Sequence, residues 1–211
     1  MEPDRIPAVS LEHIHLSLGD RVLFQDFSLR IDPGDKVVLN APSGSGKTTL
    51  LRMVLGFARP DAGSILVQGT PLSCQTVRSV RRSCAYVSQD VDLRELPVRE
   101  VLTEIARYPA NRDTDLSRAA VNPFFQRLNI DDDIWDKDIG ELSGGERQRL
   151  GVAICAALDR PIWLLDEPLS ALDDESARAT VDLLTGSPAT VLAISHHPGL
   201  MDSGGFREAR F

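Results

Sequence analysis

The chain has 211 residues, 42% of them hydrophobic, and a formal charge of −8 at pH 7. That length buries a real core and lies between one small domain and two full ones, so it predicts a single domain, 1–211, with a subdomain inserted. The acidic balance argues against a nucleic-acid coat or an anionic membrane surface as the main partner, though not against a nucleotide, whose phosphates local amides and one lysine can hold.

Cys74, Cys84 and Cys155 are scattered with no CxxC pair, which fits reduced thiols in a cytosolic protein better than a disulfide frame or a zinc site. The opening "MEPDRIPAVS" lacks the basic-then-apolar pattern of a signal peptide. The longest uncharged apolar piece, "LGVAICAAL", is about half the length a membrane span needs. Any membrane role is therefore expected to run through another protein.

In chain order, the stretch to Ile31 predicts antiparallel strands, with "FSLRI" (27–31) alternating apolar and polar positions. "KVVLN" (36–40) is a short apolar run that leads into a glycine turn, and "KTTLLRMVLG" follows as a helix. "DAGSILVQG" predicts a turn and strand, and "CAYVSQ" (84–89) a further strand. The pattern then changes. "LPVREVLTEIARY" (96–108) and "LSRAAVNPFFQRL" (116–128) have helical spacing, with Pro123 expected to interrupt the second. Residues of about 90–145 are expected to form a helical insert. Alternation resumes with "PIWLLDE", a helix from Asp173 to about Thr185 closed by Gly186, and "ATVLAIS". Such alternation implies an α/β fold with a mainly parallel, helix-covered sheet.

The first chemical motif is "APSGSGKT" (41–48), which fits G-x-x-x-x-G-K-[ST] except that Ala41 stands for the first glycine. Successive amides of Ser43, Gly44, Ser45, Gly46, Lys47 and Thr48 can curl round phosphates, helped by the positive end of the helix. Thr49 is grouped with them. Lys47 is expected to reach the β- and γ-phosphates, and the Thr48 hydroxyl to ligate Mg²⁺. An alanine is tolerable at the first position if its φ is negative. "PIWLLDEP" (161–168) supplies the complement: a buried strand with Asp166 and Glu167 at its carboxyl end, where ligands of such sheets gather. Asp166 suits Mg²⁺ through water, and Glu167 can polarise an attacking water.

A second glycine turn, "ELSGGERQRL" (141–150), lies ahead of a helix. Ser143 with Glu146 three residues on is a capping box. A cap does not require two glycines between its partners, however, and Gly144 and Gly145 are poor helix formers. Small residues at a helix N-terminus leave bare amides open to an anion or another body.

"LSGGERQRL" resembles the signature motif of the ATP-binding cassette (ABC) ATPases, and the resemblance extends over essentially the whole chain. Gln89 in "YVSQD" is similar to the family's Q-loop glutamine, Ser170 to Asp173 ("SALD") to its D-loop, and His196 in "AISHH" to its switch histidine. The resemblance implies a P-loop NTPase fold of ABC type with an antiparallel N-terminal part and an inserted helical subdomain. It implies ATP and Mg²⁺ as ligands, with Gln89 and Asp166 at the outer edge of the metal beside Thr48. Glu167, His196 and Gln89 would be the catalytic residues. Two cassettes would pack head to tail, so that Ser143, Gly144 and Gly145 of one cover the ATP held by the other. The expected function is an ATPase subunit on the inner face of a cell membrane, powering a separate membrane-spanning permease, with no direct nucleic-acid contact. A soluble ABC ATPase acting on nucleic acid or ribosomes is the alternative, although its relatives usually carry a coiled-coil insert or two cassettes. A P-loop kinase or switch would not need the signature.

Two positions depart from the family pattern. Leu18 stands where an aromatic usually stacks on adenine, and His197 where an aspartate often follows the switch histidine. Elsewhere, His13 and His15 are expected on a solvated strand face. Arg78, Arg81 and Arg82 are expected in a solvated turn, and "DDD" at 131–133 in a helix-flanking turn. Phe124 and Phe125 are assigned to the core of the insert, and Leu93 and Leu96 to a groove for the permease.

Overall fold

The computed structural model describes residues 5–42 and 44–209. The chain opens with an antiparallel hairpin, β1 (Val9–Leu18) and β2 (Arg21–Ile31), paired from Val9↔Ile31 to Leu18↔Arg21. There follow β3 (Lys36–Leu39), α1 (Lys47–Val54), β4 (Ala62–Val67), β5 (Thr70–Pro71), α2 (Val77–Ser83) and β6 (Cys84–Val87). The chain then turns helical, with α3 (Val98–Arg107), α4 (Arg118–Arg127) and short 3-10 turns at Pro109–Asn111, Asp132–Asp136 and Ile139–Glu141. It closes with α5 (Gly144–Ala157), β7 (Ile162–Asp166), α6 (Asp174–Thr185), β8 (Thr190–Ile194), α7 (Pro198–Met201) and β9 (Arg207–Ala209).

These strands make two sheets. The antiparallel one runs β2-β1-β4-β5, and the other, in the order β6-β7-β8-β3-β9, is parallel at every pairing. Every residue of β7 and β8 is buried, as expected of strands covered on both faces. Alternate side chains separate by face. Ile162 and Leu164 join α1 and the antiparallel sheet in one core, whereas Trp163 and Leu165 join α3, α4 and α5 in the other.

The helical stretch folds on its own apolar stripe: Val98, Val101 and Leu102 of α3 are buried at helical spacing. Phe125 is buried with its ring 5.2 Å from that of Trp135, while Phe124, Leu93 and Leu96 are half-buried against the same core. Pro123 does not interrupt α4, contrary to the sequence expectation. It forfeits one bond to the Ala119 carbonyl, but Val121 and Phe125, on either side, are buried, and the Ser117 hydroxyl caps the helix by accepting from the Ala120 amide.

The basic run is not a turn either. It forms α2, in which Arg81 Nε donates to the Leu55 carbonyl at 2.8 Å and the guanidinium lies 4.0 Å from the Phe57 ring centroid. Arg81 thereby satisfies an end carbonyl of α1. Asp132 and Asp133 sit in an exposed 3-10 turn and pair with Arg118 and Lys137. His13 lies at a bulge in β1, exposed, with Nδ1 2.7 Å from Asp26. Among the described residues no group of three or more His, Cys, Asp or Glu side chains is placed to hold a metal. The three cysteines are free, and burial pushes the Cys84 thiol up to about 12. Among the described residues no helix is long and apolar enough to cross a membrane.

The junction of the two antiparallel strands β1 and β4 depends on Gly63. Its φ is +96°, and a Cβ there would stand 2.4 Å from the His13 carbonyl oxygen. Gly63→Ala should therefore destabilise the chain by at least about 1–3 kcal/mol, the typical strain of such a backbone alone. In thermal unfolding this is a fall of roughly 2–4 °C per kcal/mol for a chain of this size.

Candidate functional site

The loop between β3 and α1 is shaped by glycines. Gly44 and Gly46 have φ of 77° and 101°, a region other residues enter only with strain. Ala41 is buried and outside that region, so its Cβ costs the turn nothing. Ser43 lies outside the described residues. Ser45 Oγ is buried and has no hydrogen-bond partner among the described residues, an unusual state for a hydroxyl.

Lys47 opens α1 and is buried, folded back over the loop. Its Nζ bonds the Ala41 carbonyl, lies 3.3 Å from that of Pro42 and is 2.8 Å from His196 Nε2. One residue on, the Thr48 hydroxyl donates to Asp166 Oδ2 at 2.7 Å. Asp166 ends β7 with only 3% of its surface exposed. Burial pushes its carboxyl above the ordinary value of 3.8, against the opposing pull of the Thr48 hydrogen bond and the charges of Arg52 and Lys47.

Glu167 leaves the strand at φ 50°. Its amide donates to the Ile194 carbonyl at 2.9 Å. Its own carbonyl accepts from the Ser170 amide at 3.2 Å, the Ser170 hydroxyl at 3.1 Å and Gln148 Nε2 at 3.5 Å. The carboxylate turns toward His196, accepting from its backbone amide at 3.4 Å. Gln148 escapes the motif reading. It is 2% exposed on α5, and its only trace in the sequence is an amide on an otherwise apolar helix face.

A cavity of about 610 Å³ collects Gly44, Gly46, Lys47, Thr48, Thr49, Gln89, Asp166, Glu167 and His196. Arg21 and Leu18 from the hairpin also line it. A second cavity of about 540 Å³, beside Pro161 and Pro188 at the opposite ends of the strands, holds none of these groups.

The second glycine turn lies elsewhere. Ser143 Oγ accepts from the Glu146 amide at 3.2 Å, and the Ser143 amide donates to Glu146 Oε2 at 2.8 Å, so the capping box is complete. Those bonds from Ser143 hold the Glu146 carboxyl below its usual range. Ser143, Gly144 and Gly145 are absent from the phosphate-loop cavity. Gly144 lines a neighbouring cleft of about 290 Å³ that shares Gln89 and Ser170 with it.

A glycine-rich loop between a parallel strand and a helix, facing an acid at the end of the next strand but one in the sheet, defines a P-loop nucleotide-binding domain. The family model of the ABC transporter matches residues 24–170. The chain is 35% identical over 198 residues to the cytochrome c biogenesis ATP-binding export protein CcmA of Maricaulis maris (strain MCS10), covering 92% of this chain and 88% of that one. It is 36% identical over 203 residues to the ATP-dependent lipid A-core flippase of Burkholderia pseudomallei (strain 1710b), covering 90% of this chain. The chain spans 33% of that flippase's length. Among solved structures, the dimeric bacterial ABC transporter cassette MJ0796 shares the fold, with a TM-score of 0.80 at 22% identity over 96% of this chain and 94% of that one. The chain belongs to the ABC transporter family.

The state of Asp166 sets a measurable balance. Its folded pKa lies above the ordinary 3.8, so its contribution to folding is most favourable below that value and is lost as pH rises through the raised one. At neutral pH its charge therefore weighs against the nucleotide-free fold. Asp166→Asn keeps an acceptor for Thr48 and should raise the nucleotide-free melting temperature at pH 7, a gain of ~1 kcal/mol reading as roughly 2–4 °C. That gain should shrink as the pH is lowered toward 4. A lower melting temperature at pH 7 would show that the charge supports the fold.

Proposed function

We propose that the chain is the nucleotide-hydrolysing subunit of a transporter, driving a separate membrane-spanning permease as a head-to-tail dimer with ATP in its interface. It would work at the cytoplasmic face of a cell membrane, docked on the permease and making no direct nucleic-acid contact. The cassette is taken as one domain, 1–211, with residues of about 90–145 as its helical subdomain. Both named relatives, an export protein and a flippase, belong to transport.

The observation that supports pairing is the separation of the two glycine turns. Lys47, Thr48, Asp166, Glu167 and His196 meet in one cavity, yet the exposed Ser143–Gly144 turn points into none of it. Its amides suit an anion, and a second copy can bring one. Gly145 has a reason within its own chain, since a Cβ there would stand 2.8 Å from the Ala171 carbonyl. Gly144 has none: the nearest atom to its Cβ position is Ala171 Cβ at 3.7 Å, an ordinary contact.

In this reading the phosphate loop, from Ser43 to Thr49, holds the triphosphate through backbone amides. Lys47 exchanges its bonds to the loop carbonyls and His196 for phosphate oxygens. The hard oxygens of Thr48 and Asp166, with Gln89 at the edge of the same cavity, suit Mg²⁺. Held there, the ion would supply positive charge against the negative charge that gathers on the phosphoryl oxygens. Glu167 orients and deprotonates a water, whose oxygen bonds to the γ-phosphorus as the bond to the ADP oxygen breaks. The backbone amide of His196 steadies that carboxylate, and its exposed ring stands ready to hydrogen-bond the γ-phosphate. Ser143, Gly144 and Gly145 of the partner copy close the site.

Glu167→Gln should retain ATP binding, reduce turnover by about 10²–10⁴-fold and give a dimer on size exclusion with Mg-ATP but not without it. A monomer at saturating Mg-ATP, with the permease present as well as absent, contradicts the pairing. Gly144→Glu separates the roles of the turn. Within its own chain, an acid in the first turn of α5 is favourable by about 0.3–1 kcal/mol, so the melting temperature should hold or rise. Placed against a partner's triphosphate the same charge should lower hydrolysis by roughly 10²-fold or more, with ATP affinity of the monomer unchanged. Unaltered turnover in a folded Gly144→Glu protein rules the turn out of the site.

A further inference from the structure

Among the described residues, no phenylalanine, tyrosine or tryptophan lines the nucleotide cavity. Leu18 and Val22, flanking the hairpin turn, are 58% and 60% exposed and offer only aliphatic surface. Between them stands Arg21, the first residue of β2, and its guanidinium reaches back across the cavity to the phosphate loop. Nη1 lies 3.4 Å and Nη2 3.7 Å from the position a Cβ on Gly44 would take. Gly44 is in the left-handed region and exposed, so it places no side chain of its own between the guanidinium and the loop.

Beyond the ladder pairing of its backbone with Leu18, no hydrogen bond or ion pair joins the Arg21 guanidinium to any described residue. The other cation lining the cavity, Lys47, is already engaged with two carbonyls and His196. In a chain with eight more acidic than basic side chains, an arginine without a carboxylate partner at the mouth of a phosphate loop is available to a ligand. Its planar fork of donors matches phosphate oxygens in a way an ammonium does not.

We propose that Arg21 is a second cation for the polyphosphate, and that affinity in this cavity is set by the phosphate chain and not by the base. This rests on the cavity being the nucleotide site. The ligand class is then any nucleoside triphosphate, and in the extreme a triphosphate with no base. A charge-assisted bond of this kind corresponds to roughly 10–100-fold in affinity. Stacking on an aromatic, absent here, accounts in general for about tenfold or less.

The test is competition of a fluorescent ATP analogue from the full chain by ATP, GTP, CTP and inorganic tripolyphosphate, in the wild type and in Arg21→Gln, Arg21→Lys and Lys47→Ala. The wild type should bind the three nucleotides within about fivefold of one another, and tripolyphosphate should compete. Arg21→Gln should weaken all four ligands by one common factor of roughly 10–100, and Arg21→Lys should restore part of it. Because the Arg21 side chain is exposed and has no partner among the described residues, the melting temperature should be unchanged. Unaltered affinities in Arg21→Gln, or a loss confined to ATP and GTP with tripolyphosphate unaffected, overturn the assignment, the latter making the guanidinium a platform for purines. If Lys47→Ala abolishes binding while Arg21→Gln does not change it, only the role of Arg21 fails. If Lys47→Ala binds as the wild type does, the nucleotide site itself is misplaced and both readings fall.

Discussion

One register governs the site. In the parallel sheet Leu39 of β3 pairs with Ile194 of β8, and Ile194 pairs with Asp166 of β7. The three strands therefore end side by side. The next residues of each chain segment, Asn40, Ser195 and Glu167, start their loops from one line. A phosphate loop, an exposed histidine and a pair of acids, which are far apart in sequence, are thus brought within hydrogen-bonding distance of one another. A slip of one residue in β7 would turn Asp166 and Glu167 to opposite faces. The unbroken apolar runs of β7 and β8 are buried on both sides and oppose such a slip.

Glu167 is where that frame is under most local constraint. A non-glycine residue at φ 50° is uncommon, and of order 1–3 kcal/mol of strain is usual for such a conformation. Four hydrogen bonds hold its backbone: one from its amide to Ile194, and three to its carbonyl from Ser170 and Gln148. They come from β8, from the loop after β7 and from α5. The carboxylate is consequently aimed by three different elements. Gln148 belongs to the same helix whose N-terminus carries Ser143 and Gly144, so a displacement of that helix is felt at the Glu167 carbonyl. Gln89 and Ser170, which border both clefts, provide a second physical connection between them.

How far the sequence alone reaches is visible in where each expectation rests. Strand and helix alternation located β3, β4, β6, β7 and β8, because their apolar runs are bounded by turn residues. The glycine-loop motif pointed to Lys47 and Thr48, and the acidic end of an apolar run to Asp166 and Glu167, whereas His196 rested on the family resemblance. Backbone geometry was not legible. Nothing in "DEP" announces the left-handed turn at Glu167, and nothing in "VNPFF" says that burial on both sides of Pro123 outweighs one lost bond. Long-range side-chain partners were equally hidden. Arg81 was assigned to solvent because three arginines in seven residues imply a wet turn, whereas one of them satisfies a carbonyl of α1 and stacks on Phe57. Arg21 carries no motif, and its place over Gly44 follows only from the way the hairpin folds onto the loop.

The adjacent glycines at 144 and 145 separate two constraints that the motif presents as one. Gly145 is required by its own chain, because the Ala171 carbonyl occupies the space of a side chain. That contact locks the start of α5 to the loop that follows β7, and hence to Ser170 and Glu167. Gly144, one residue earlier, is exposed and free of any tight neighbour, and at a helix start glycine is inferior to most residues. On the proposed pairing, a residue that costs helix stability and relieves no crowding in its own chain finds its explanation in a body outside that chain. If that outside body is a second cassette, the helix fixed by Gly145 is the one presented to it, and the rigidity of the internal contact is what allows the exposed amides to meet a phosphate in a defined position.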